Sequence, residues 1–62
     1  MKYQVITACA YFSPVTDFER AARELSELVN QAILDGWRPL GGVAAGNTEN
    51  VKPYLLQAMV RD

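Results

Sequence analysis

Histidine is absent from this 62-residue sequence, and Cys9 is its single cysteine. The first absence removes the side chain that most often carries acid–base catalysis near neutral pH. The second excludes an intrachain disulfide, and one thiol without imidazole cannot close a four-ligand zinc site. Neither a metal nor another cofactor is therefore expected. A chain of this length buries only about 60% of the surface that its unfolded form exposes. Small domains offset that shortfall with disulfides, metals or oligomerisation. Only the last of these remains open to this sequence.

Long apolar runs are missing too. Half the residues are hydrophobic, yet none of the runs approaches the ~20 residues that span a bilayer. Gln4 and Thr7 interrupt the N-terminal stretch MKYQVITACAYF, unlike a signal-peptide core. Excess positive charge is lacking as well. A net charge of −1 supplies no basic field for phosphate backbones, so nucleic acid is not the expected partner. No repeat, low-complexity tract or linker divides the chain. The expectation is a single cytoplasmic domain over residues 1–62, with no membrane association.

What is present is strong patterning. Residues 2–10 alternate Tyr3, Val5, Thr7 and Cys9 against Gln4, Ile6 and Ala8, the pattern of a strand. Thr16 followed by Glu19 reads as a capping box opening a helix. From Phe18 to Leu34 the residues Phe18, Ala21, Ala22, Leu25, Leu28, Val29, Ala32 and Ile33 fall in one sector of about 140°. Charged and amide side chains occupy the rest, with Leu34 the exception. Gly36 suits the left-handed position that ends a helix, and Trp37 can fold back over Ala32. Two apolar segments follow, at about 37–45 and 54–61, separated by the turn-rich GNTENVKP.

This predicts an α+β fold of order β-α-β-β. A helix of about 19 residues spans roughly 28 Å and can return the chain along the first strand, making the first two strands co-directional and the third reversed. Pro39 and Gly41-Gly42 suit an edge strand, whereas the unbroken YLLQAMV suits a central one. The expectation is a three-stranded antiparallel sheet, order 1-3-2, with one amphipathic helix packed on one face. Both sheet faces are apolar in this arrangement, and one helix covers only one of them. An uncovered apolar face usually marks an interface, so a homodimer or higher oligomer is expected.

The glycine pair lies inside a strand. Phosphate-binding glycines instead sit between a strand and a helix N-terminus. A bulge or a close packing contact is the expected role. Catalytic material is scarce. Glu19, Glu24, Glu27 and Asp35 fall on the polar helix face, and Cys9 reads as a buried reduced thiol. Asn47, Glu49 and Asn50 do not have the spacing of a calcium loop. Five side chains are candidates for a ligand or interface site. Trp37 is a core plug or an aromatic platform, and Arg38 and Arg61 suit an anion at the strand ends. Gln57, among apolar neighbours, needs a hydrogen-bond partner, and Tyr54 adds a polar-tipped ring.

The motifs DGW-x-x-x-GGV, at 35–43, and Y-x-x-QAMV, at 54–60, resemble domain-of-unknown-function family 1737, small bacterial and phage proteins. Its members are similar in opening with KY-x-V, as residues 2–5 do, before an amphipathic helix. The loop ACAYFSPVTDF departs from that pattern in being longer. The resemblance implies a compact β-α-β-β domain and brings no catalytic residues. The combined expectation is a non-catalytic homo-oligomeric accessory or interaction module, meeting itself and an unidentified protein or small molecule. The alternative is a binder that sequesters a nucleotide-like ligand between protomers.

Overall fold

Strand pairing is set by the alternation of side chains along the first and last segments. In the computed structural model, which describes residues 1–47 and 52–62, β1 (Lys2–Cys9) leads into two short strands, β2 (Tyr11–Phe12) and β3 (Val15–Thr16). The helix α1 (Phe18–Leu34) and the strands β4 (Arg38–Asn47) and β5 (Pro53–Arg61) follow. The fold is α+β, with a three-stranded antiparallel sheet in the order β1-β5-β4 and a separate two-stranded sheet of β2 and β3.

That layout corrects the expected β-α-β-β in detail. Two strands are interposed before the helix, and the order written 1-3-2 becomes β1-β5-β4. The reason lies in the long loop. Tyr11-Phe12 and Val15-Thr16 are aromatic and β-branched pairs flanking Ser13-Pro14, and they close into a minimal hairpin with Tyr11 opposite Thr16. Ala10 ties this hairpin to the body. Its amide donates to the Pro53 carbonyl at 2.9 Å, and its own carbonyl accepts from the Asp17 amide at 2.8 Å. Arg20 lies over the Phe12 ring, 4.1 Å from its centroid.

The helix starts one residue later than a Thr16 cap would place it. Thr16 is engaged in β3, so Asp17 takes the cap, and its Oδ1 accepts from the Arg20 amide at 3.0 Å. The Thr16–Glu19 capping box is therefore not formed. The other end follows the sequence closely. Gly36, at φ 90°, donates to the Ile33 carbonyl, and Trp37 donates to that of Ala32, each at 3.0 Å. This pair of bonds is the Schellman arrangement, which the left-handed glycine makes possible.

The helix lies over β1 and β5, and reaches β4 only weakly. The face it covers carries Ile6 and Ala8 of β1 with Leu55, Gln57 and Met59 of β5. Ala8, Ala10, Ala21 and Leu25 form the buried centre, with Ile6, Val29 and Leu55 packed against it. Of the large side chains among the described residues, only Met59 is completely enclosed. Several residues of the predicted helix stripe stay in water. Phe18, Leu28 and Ile33 are each more than 40% exposed, because the sheet beneath is too narrow to cover the whole sector. The Cα radius of gyration is 12.2 Å, above the ~10.6 Å of a compact chain of this length. The molecule is thin, and its core is built largely from alanine.

Candidate functional site

Residues directly opposite each other across a sheet share a face. The pairs Tyr3–Val60, Val5–Ala58, Thr7–Leu56 and Cys9–Tyr54 therefore project together, away from the helix. From β4, Arg38, Leu40, Ala44 and Gly46 join them, by their pairing with Val60, Ala58, Leu56 and Tyr54. Tyr3 is 62% exposed, Val5 46% and Leu40 52%. No helix covers this face. Along its β1–β5 half runs a concavity of about 520 Å³, lined by Val5, Thr7, Cys9, Lys52, Tyr54 and Leu56.

Cys9 is exposed on this face rather than buried. The correction follows from parity. The helix settled on the side of Ile6 and Ala8, which leaves every odd-numbered residue of β1 on the other. The Cys9 sulfur accepts a long hydrogen bond from the Tyr11 amide at 3.4 Å. Lys52 lines the same concavity.

The five candidate side chains fall into separate places. Trp37 and Arg61 meet at the end of α1. The Arg61 guanidinium sits 4.8 Å from the Trp37 ring centroid, and its Nη1 donates to the Asp35 carbonyl at 3.1 Å. The last helical turn has no basic residue of its own, so Arg61 supplies the positive charge that a helix C-terminus favours. Arg38 points to the open face and pairs with Asp62 at 3.6 Å in full solvent. Tyr54 lies at the far end of that face, where its ring leans across Gly46. A Cβ at Gly46 would stand 2.8 Å from the tyrosine oxygen.

Gln57 lies on the covered side, only 5% exposed. It explains the glycine pair. Between the pairs Leu40–Ala58 and Ala44–Leu56, three residues of β4 stand against Gln57 alone. This is a bulge, and it leaves ladder carbonyls without strand partners. The Gln57 Nε2 donates to the carbonyls of Gly41 at 3.1 Å, Leu40 at 3.4 Å and Ala58 at 3.0 Å. Gly41 adopts φ +75°, which the bulge requires and a Cβ would oppose. Within the chain nothing lies within 4 Å of a Cβ built on either glycine, so no second backbone approaches there.

Beside the bulge, a groove of about 320 Å³ separates α1 from β4, with Val29, Asn30, Val43 and Gln57 among its lining residues. Among the described residues no group of three or more His, Cys, Asp or Glu side chains is placed to hold a metal ion. Glu49 and Asn50, considered with Asn47 as a turn at the hairpin tip, lie outside the described residues. No helix among the described residues is long and apolar enough to cross a membrane. Compared with protein-family models, curated proteins and solved structures, the chain matches none.

Sequence reasoning missed the hairpin of β2 and β3 and the open-face position of Cys9. The alternation in β1 held the signal for Cys9, since it already grouped Cys9 with Tyr3 and Val5. What it did not hold was which group the helix would cover.

Proposed function

We propose that the protein is a self-associating, non-catalytic module that works as a homo-oligomeric accessory or interaction protein. One observation carries this reading: on the sheet face turned away from the helix, Tyr3, Val5 and Leu40 are each about half exposed. A core of four alanines, a leucine, a methionine and a valine leaves little reserve of stability. Association that covers apolar surface supplies the difference, at about 25 cal/mol per Å² removed from water before the costs of association. The candidate arginines do not converge, Arg61 lying over Trp37 and Arg38 beside Asp62. The likeness of residues 35–43 and 54–60 to domain-of-unknown-function family 1737 supports a bacterial or phage origin. The net charge of −1 favours partners other than nucleic acid.

A second reading rests on the 520 Å³ concavity beside Tyr54. Its apolar lining and polar rim suit a flat, nucleotide-like molecule held between protomers. Native mass spectrometry of gently purified protein separates the two. Self-association predicts multiples of the 6.9 kDa chain without adducts. A stoichiometric extra mass on the oligomer favours the ligand reading. A monomer at all working concentrations rejects both.

A further inference from the structure

Building on that reading, we infer that the open sheet face is the self-association surface, and that its occupant is the same face of a second copy related by a two-fold axis. The sheet has two edges and two faces, and they are unequal: the β1 edge is regular but offers only backbone pairing along one strand. The edge of β4 carries Pro39 and the Gly41–Val43 bulge, irregularities that block pairing with another strand. The opposite face lies under α1. The open face alone is both apolar and continuous, from Tyr3 on β1, through Leu56 and Ala58 on β5, to Leu40 and Ala44 on β4.

Its size fits one copy of itself. Three strands about 4.8 Å apart and eight residues of about 3.4 Å each give a footprint of about 400 Å². Two such faces, with the relief of their side chains, remove on the order of 1,000 Å² from solvent, the lower limit for a specific interface. The charges lie at the two ends of this face. Arg38 and Asp62 sit side by side at one end, 64% and 91% exposed, and Lys52 lines the concavity at the other. An axis running across the strands sets the Arg38–Asp62 end of one copy against the Lys52 end of the other, which keeps the two Asp62 carboxylates apart. An interface at this lower limit also predicts an equilibrium that responds to concentration.

Two substitutions on β4 test this, because they share a strand and a degree of exposure but lie on opposite faces. Leu40 is 52% exposed on the open face, and Val43 is 57% exposed beside the helix groove. Sedimentation velocity of wild type, Leu40→Glu and Val43→Glu is compared, with circular dichroism confirming that each is folded. Leu40→Glu is expected to weaken self-association by on the order of 100-fold, since it buries an unpaired charge in an apolar interface. Val43→Glu is expected to sediment like wild type. An oligomer that survives Leu40→Glu overturns the proposed face and leaves self-association through the unguarded β1 edge. A wild-type chain that sediments as a monomer throughout overturns both this inference and the function on which it rests. Cys9 provides a readout without mutation: its reaction with a thiol reagent should slow as protein concentration rises. A rate independent of concentration in a chain that does associate places the interface elsewhere.

Discussion

The two faces of this sheet are made from the same three strands, yet they follow different rules. On the covered face the side chains are small or have one defined role. Ala8 and Ala10 admit the helix, Met59 fills the remaining space, and Gln57 repairs the bulge. On the open face Tyr3, Val5 and Leu40 are large, apolar and about half in water. The covered face is closed by α1, and these side chains of the open face meet solvent. A single strand such as β5 therefore serves two purposes at alternate residues. Leu55, Gln57 and Met59 build the monomer, while Tyr54, Leu56 and Ala58 face outward.

This contrast can be broken from the covered side with the largest effect. Met59→Ala leaves a cavity in the one place where a large side chain is wholly enclosed, and should cost about 2–5 kcal/mol of unfolding free energy. In a domain this small, that outcome extends to loss of folding, read by urea titration with circular dichroism. Gln57→Leu keeps the volume but leaves buried carbonyls at the bulge without their donor. A loss of about 1–3 kcal/mol is expected, and an unchanged midpoint would show that water replaces the amide at no cost. Asp17→Ala removes the helix cap and should cost about 1 kcal/mol, whereas Thr16→Ala should leave the cap intact. The smallest effect belongs to the open face. At dilutions where the chain is monomeric, Leu40→Ser should change unfolding by less than about 0.5 kcal/mol.

Much of the covered side was legible in the sequence. The 3.6-residue period placed Phe18–Leu34 in a helix, and Gly36 announced its end by the one conformation that glycine tolerates best. The unbroken YLLQAMV marked a strand with neighbours on both sides. Gln57, polar in an apolar run, required a buried partner, and it finds two carbonyls at the bulge, those of Leu40 and Gly41, and a third at Ala58 of its own strand. The misses have a common cause. Alternation divides β1 into two sets without saying which set meets the helix, so sequence alone puts Cys9 inside. Local propensity also favours Thr16 as the cap, but Tyr11 claims its backbone in a hairpin only two residues deep on each side. Among the five candidate site residues, Arg61 and Gln57 are occupied by the fold. Trp37 supports Arg61, and Arg38 and Tyr54 stand at opposite ends of the open face. Long-range pairing, which no local pattern encodes, decided each of these outcomes.

The most direct test of open-face association is the rate at which Cys9 reacts with a thiol reagent across about a hundredfold range of protein concentration. Its sulfur lies on the open face, at the edge of the concavity beside Tyr54. Burial of that face against a second copy predicts a rate that falls as concentration rises and recovers in Leu40→Glu. A rate that stays constant across the range, in protein shown by sedimentation to be associated, would contradict the central claim.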